Sequence, residues 1–213
     1  EEQYQKGFAR GNHFASPVLA DGKLHINSFT GKVMHTAEWD QNYTLDGKRV
    51  AVIGTGASAI QVIPSIQPQV KALNVFQRTP PWVLPKHDKA QSPRLQRLYK
   101  RRPFIQQTVR RFQYVMMESL VPAFMWDSFL TRIGESMGRR YLRKVVRDPI
   151  LQKKLSPNYA IGCKRVLLSD DYYPALTKGN VNVCVEGIDK IDGSAICTSH
   201  GQRHEVDAII LAT

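Results

Sequence analysis

The run Gly54-Thr55-Gly56-Ala57-Ser58-Ala59 sets small residues in the pattern G-x-G-x-x-[G/A]. Such a run suits one kind of chemistry. The glycines allow a tight turn and a close approach of the backbone to a pyrophosphate, and the third small residue lets the following helix pack on the preceding strand. The N-terminus of that helix adds unpaired N–H groups and the positive end of its dipole. Thr55 and Ser58 can contribute hydroxyl hydrogen bonds, and Gln61 follows within the first turns. A tight turn with a purely structural role is the competing reading.

A second cluster bears on which dinucleotide would bind. About 20 residues beyond such glycines, an NAD site places Asp or Glu to accept from the ribose 2′-hydroxyl. Here the chain reads Phe76-Gln77-Arg78-Thr79. Arg78 and Thr79 could hold a 2′-phosphate that a carboxylate would repel, which points to NADP. A surface arginine at the end of a strand is the alternative.

These side chains need elements to hold them. "KRVAVIG" is a short β-rich run bounded by glycine and reads as a buried strand. Ala59, Ile60, Ile63 and Ile66 recur at helical intervals, with Pro64 making that helix irregular. "ALNVFQR" reads as the second strand, closed by the breaker cluster "TPPWVLP". Residues 88–156 then show helical periodicity, divided by Pro93, Pro103, Pro122 and Pro149. "PNYAIGCKRVLLSDDYYPAL" reads as loop with a short helix, and the sheet signal resumes in "VNVCVEG", "IDKIDGSAICT" and "EVDAIILAT". The expected fold is α/β: a Rossmann-like dinucleotide-binding domain with a parallel sheet and a helical insertion after the second strand. Residues 46–213 would form this domain, and residues 1–45 a connector of loops and short extended pieces.

The chain has 213 residues and a net charge of +12. Much of the charge lies between Lys86 and Lys154, interleaved with Leu95, Leu98, Phe112, Val115, Met116 and Leu142. The solvated face of amphipathic helices accounts for this without nucleic acid, and a weak contact with a membrane surface is the other reading. Cys163, Cys184 and Cys197 are odd in number and lack metal-ligand spacing, so reduced thiols in a cytoplasmic protein and no metal site are expected. No apolar run approaches the roughly 20 residues of a membrane span. The strand-like "VDAIILAT" leads into no turn, which suggests a piece of a larger protein.

Ahead of the glycine turn stands "FTGKVMHTAEWD", which fits F-x-G-x-x-x-H-x-x-x-W-[PD] through Phe29, Gly31, His35, Trp39 and Asp40. On this fingerprint the chain resembles the type I Baeyer–Villiger monooxygenases, within the flavin-dependent monooxygenases. Trp39-Asp40 is the part that favours the Baeyer–Villiger branch. "VFQRTPPWVLP" is similar to the family segment whose Arg and Thr contact the 2′-phosphate, here Arg78 and Thr79. "IGCKR" followed by "DYYPAL" resembles the segment in which Lys also reaches that phosphate and the next Arg is catalytic, here Lys164 and Arg165.

The resemblance implies an enzyme that uses NADPH, FAD and molecular oxygen to convert a ketone into an ester or lactone. It implies that His35 links domains or positions cofactor; a satisfied structural histidine is the plainer reading. A salt-bridging loop arginine near Asp170 or Asp171 is the plainer reading of Arg165. No second glycine motif for FAD is present, so an FAD-binding domain of the same parent chain is expected, and this part alone should bind NADP without turnover. "GFARGN" departs from the family by placing Arg10 where Thr is expected. An enzyme oxidising nitrogen or sulfur, and a non-catalytic NADP-binding module docking through its basic helices, are the alternatives.

Overall fold

The computed structural model describes residues 29–88, 90–125 and 129–212. Most of the connector and Arg10 therefore lie outside the described residues. The centre of the fold is a five-stranded parallel sheet in the order β1-β10-β2-β3-β6. Its strands are β1 (Lys32–His35), β2 (Arg49–Ile53), β3 (Ala72–Phe76), β6 (Val181–Cys184) and β10 (Ala208–Leu211). The central strands are apolar on both faces, as a doubly covered parallel sheet requires.

The two faces carry different cover. Val50, Val52, Leu73, Val75, Ala208 and Ile210 point into one core. That core is closed by α1 (Ala57–Ile66) and α6 (Tyr172–Leu176). Helix α1 buries Ala59, Ile60, Ile63 and Ile66, the four positions marked by the helical spacing, and carries Pro64 inside it. Ala51, Ile53, Ile209 and Leu211 point the other way. There they meet a separate three-stranded antiparallel sheet of β7 (Ile188–Asp192), β8 (Ala195–Thr198) and β9 (Arg203–Glu205). The strand signal in "IDKIDGSAICT" thus forms a second layer and does not extend the parallel sheet. One ion pair marks the opposite edge of the sheet from the glycine turn. Arg49 donates from its backbone N–H to Asp207 Oδ2 at 2.8 Å and from its guanidinium to Oδ1 at 2.7 Å. The Arg49 hydrogen bonds hold the Asp207 carboxyl below its ordinary range.

The insertion after β3 contains α2 (Pro93–Arg101), α3 (Pro103–Met125), α4 (Phe129–Val145) and α5 (Pro149–Leu155). Pro93, Pro103 and Pro149 each stand at a first helical position, where the missing N–H costs nothing. Pro122 does not divide helices as expected; α3 runs through it. One lost N–H bond removes a single rung of a long helix, and the flanking rungs continue it. The expected pattern of buried apolar face and solvated basic face holds for α4, where Leu142 is buried and Val146 just beyond it as well. It fails for α2, which buries nothing, and for the first half of α3, where Phe112 and Val115 are exposed.

The breaker cluster "TPPWVLP" also contains a strand. β4 (Val83–Leu84) pairs in parallel with β5 (Leu167–Leu168). Just before β4, Trp82 is 1% exposed and its indole N–H donates to the Tyr159 carbonyl at 2.9 Å. This small ladder holds the loop after β3 beside the loop around residue 164.

Candidate cofactor site

Every strand of the parallel sheet ends in one row. His35 is in register with Leu211, Leu211 with Ile53, Ile53 with Phe76, and Phe76 with Cys184. In open α/β sheets ligands bind outside this carboxyl edge. The row sets the end of the fingerprint strand, the glycine turn after Ile53 and the Arg78 segment after Phe76 along one line. At about 4.8 Å per strand, His35 lies about 10 Å from Ile53 along that edge.

The glycine turn has the geometry its residues suggested. Gly54 has φ 127, a conformation side-chain-bearing residues rarely adopt. Its N–H donates to the Phe76 carbonyl at 3.2 Å, pinning the turn to the end of β3. Gly56 caps α1 without any side-chain hydrogen bond, and the first turn of the helix carries no acid. Ala57 and Gln61 are exposed and Ser58 half-buried. An uncapped, acid-free helix start behind a glycine turn fits a pyrophosphate.

The Arg78-Thr79 segment comes close to this turn. Thr55 Oγ1 donates to the Thr79 carbonyl at 3.4 Å. Arg78 is exposed, and with Thr79 and Pro80 it lines a pocket of about 490 Å³. The opposite wall comes from α5 and the residues after it: Lys153, Lys154, Ser156 and Asn158. Lys153 is exposed at this pocket and was not foreseen. In the sequence it is one of many basic residues in the insertion. Its placement rests on buried Gln77, whose amide donates to the Lys154 carbonyl at 3.1 Å, and on Lys154, whose ammonium donates to the Val183 carbonyl at 2.8 Å. Those two bonds tie the last turn of α5 to β3 and β6.

Lys164 and Arg165 precede β5 as Pro80, Pro81 and Trp82 precede β4. Lys164 Nζ lies 4.9 Å from the Tyr159 ring centroid, and the Tyr159 hydroxyl donates to the Pro80 carbonyl at 3.2 Å. Neither Lys164 nor Arg165 lines the pocket beside Arg78. Arg165 is exposed and makes no ion pair among the described residues. Its alternative partner Asp170 instead accepts the backbone N–H groups of Lys86 and Asp88 at 2.9 and 3.1 Å.

The fingerprint residues form a clip at the edge of the sheet, separated from the glycine turn by β10. Gly31 leaves no room for a side chain: a Cβ there would press on the Asp207 carbonyl oxygen and come within 2.6 Å of the Phe29 ring. Phe29 packs against the second core and bridges to Gly193 at the turn between β7 and β8. After β1 the chain turns sharply. The His35 carbonyl accepts from Glu38 N–H at 2.9 Å and His35 Nδ1 accepts from Ala37 N–H at 3.1 Å. The Asp40 carboxylate then closes the loop on Lys32 at 2.6 Å, which holds its pKa below the ordinary value, with help from the Asn42 N–H. Trp39 is left 37% exposed.

Among the described residues no group of three His, Cys, Asp or Glu could hold a metal ion. No helix among them is long and apolar enough to cross a membrane. Cys163 is exposed and Cys184 buried, and burial pushes the Cys184 thiol up to about 11.

Comparison with known proteins identifies the family. The family model described as flavin-binding monooxygenase-like matches residues 8–213. A Baeyer-Villiger monooxygenase of Pseudomonas aeruginosa is 42% identical over 216 aligned positions, covering 96% of this chain and 41% of the relative. A Baeyer-Villiger monooxygenase of Streptomyces coelicolor is 44% identical, covering 93% of this chain and 39% of that one. The chain thus spans about two fifths of the length of these relatives. Among solved structures, oxidized steroid monooxygenase bound to NADP superimposes with a TM-score of 0.76 at 27% identity, covering 94% of this chain and 45% of that structure. Cyclohexanone monooxygenase from Rhodococcus sp. Phi1 bound to NADP+ gives a TM-score of 0.74 at 25% identity, covering 94% and 44%.

Proposed function

The chain belongs to the flavin-binding monooxygenase-like family, and on that premise we propose that it is the NADP-binding part of an NADPH- and FAD-dependent enzyme that inserts oxygen beside a ketone carbonyl. One observation carries the reading: the glycine turn and the Arg78-Thr79 segment are hydrogen-bonded to each other at the carboxyl edge of a parallel sheet, with no carboxylate in either segment. Residues 46–213 are the NADP-binding domain. Residues 1–45 are the arm from an FAD-binding part of the same parent, and β1 is where that arm anchors in the sheet.

In this reading the first turn of α1 holds the pyrophosphate, with Ser58 adding its hydroxyl and Thr55 holding the Thr79 segment beside the turn. Arg78, Thr79 and Lys164 hold the 2′-phosphate, and Lys153 joins them from the far wall of the pocket. The flavin supplies the redox and oxygen chemistry when bound. Arg165 would supply the cation that stabilises the negative charge developing as the ketone reacts. One such preorganised donor contributes about 10²–10³-fold in rate. His35, Trp39 and the Lys32–Asp40 pair shape the turn after β1, where they link the domains or position cofactor. In the parent, Arg165→Ala is expected to lower turnover while leaving NADPH binding in place, and Arg165→Lys to restore only part of it, since an ammonium lacks the planar fork.

Calorimetric titration of the 213-residue chain with NADPH and NADH tests the cofactor assignment. NADPH should bind more tightly, in a colourless protein. Arg78→Ala should weaken NADPH by about 10–100-fold and leave NADH nearly unchanged, as loss of charge-assisted hydrogen bonds to a phosphate requires. Equal losses for both nucleotides would sink the 2′-phosphate assignment. Assaying the parent on ketones, sulfides and amines decides the oxygenation chemistry.

A further inference from the structure

Helix α3 carries a face that the fold leaves open. Phe104, Phe112 and Val115 fall on one side of the helix at i, i+8 and i+11, with Ile105 and Val109 beside them. A face of this kind normally packs on a core. Here Phe104 is 60% exposed, Phe112 68% and Val115 59%. Every residue from Pro103 to Glu118 is exposed except half-buried Ile105.

The charge around this face has one sign. Arg94 and Arg97 lie on α2, Lys100-Arg101-Arg102 form the turn into α3, and Arg110-Arg111 follow, with no carboxylate between Pro93 and Met117. None of these cations is in an ion pair among the described residues. Arg111 comes seven residues after Phe104, so it borders the apolar face directly.

We propose that α2 and α3 form a docking surface for an anionic lipid bilayer. The helix lies in the plane of the headgroups, Phe104, Phe112 and Val115 enter the acyl boundary, and the arginines around the turn pair with lipid phosphates. Apolar burial and attraction to anionic lipid act together in such interfacial helices. A second copy of the chain is disfavoured because its own arginines would face these. A nucleic acid would use the cations and leave the aliphatic strip unsatisfied. The proposal does not depend on the cofactor assignment.

The test is co-sedimentation of the intact parent protein, with the 213-residue chain beside it, with vesicles of phosphatidylcholine alone or mixed with phosphatidylglycerol. The chain should pellet with the mixed vesicles and stay in solution with the neutral ones, and about 1 M salt should release a large share of it. Phe104→Ser/Phe112→Ser/Val115→Ser should weaken binding at least about tenfold. Arg101→Glu/Arg102→Glu should do the same by removing the attraction, and both variants should keep the circular dichroism and unfolding midpoint of the parent chain, since all five positions are exposed. Equal partition to both vesicles, or no partition to either, overturns the proposal. So does anionic binding that the serine variant retains, or a preference for duplex DNA over anionic vesicles.

Discussion

The ammonium of Lys164 rests 4.9 Å from the centre of the Tyr159 ring, and that ring is tied through its hydroxyl to the Pro80 carbonyl, two residues from Arg78. A residue far along the chain is thereby brought beside the segment that ends β3 without touching it. Tyr159→Phe keeps the ring under Lys164 and removes the tether. The expected result is about a 2–12-fold loss of NADPH affinity, the range for one neutral hydrogen bond, with NADH affinity unchanged. Unaltered NADPH binding would show that the tether does not position Lys164.

Gly31 is required by contact. Its backbone runs against the Phe29 ring and the Asp207 carbonyl, where the fingerprint strand meets the start of β10. Gly31→Ala is expected to destabilise the chain by about 1–3 kcal/mol, as overpacking a fixed backbone does, seen as a lower denaturant midpoint. A midpoint equal to that of the parent chain would mean that the edge strand can give way at no cost.

The hydroxyl of Tyr172 is buried with no hydrogen-bond partner among the described residues, in a residue that is 0% exposed. An unpaired buried hydroxyl costs about 1–3 kcal/mol. Tyr172→Phe removes the group and keeps the ring, so it should be neutral or raise the unfolding midpoint. A clear loss of stability would reveal an unrecognised partner.

Alkaline pH should weaken the fold through the adjacent tyrosines. Burial, then the charges of Asp170 and Asp171, push the Tyr141 phenol from its ordinary 10.0 up to about 12. Burial also raises Tyr172 and Tyr173. Below pH 10 the folded and unfolded phenols are all protonated, and this contribution is complete. Above it the unfolded chain sheds protons that the folded one keeps, so stability falls as pH rises toward 12. Denaturant midpoints from pH 9 to 12 should decline, and Tyr141→Phe should decline less steeply. Parallel slopes would remove Tyr141 from the account.

The parts of the fold that the sequence displayed are those decided by local pattern. The apolar runs of β2, β3 and β10 have no other use than a covered parallel sheet, and Ile60, Ile63 and Ile66 allow one helical face. The choice of partner was not legible. Ile188, Ile191 and Ile196 announce strands, yet nothing local says that they pair with one another across a second layer. Likewise the spacing of Phe104 and Phe112 defines a face but not what lies against it, and Lys153 looks like every other lysine until Gln77 and Val183 fix the helix end beside Arg78. In the candidate site, the tight turn at Gly54 and the nearness of the Arg78 segment to it were legible from residue type and spacing. Lys164 needed a known relative, because its approach to Pro80 runs through one tyrosine ring.

The order of the parallel sheet sets a timetable for folding. Strand β10 sits between β1 and β2, pairing Ala208 with both Lys32 and Val50. On the ribosome β1 and β2 therefore emerge early and wait, each missing the neighbour that will separate them, until the entire helical insertion and the antiparallel layer have been made. Sheets closed by such distant pairings form slowly and expose strand edges while they wait. During that interval the fingerprint strand has no partner in the parallel sheet. It becomes fixed relative to the glycine turn only when the last strand of the sheet slides between them.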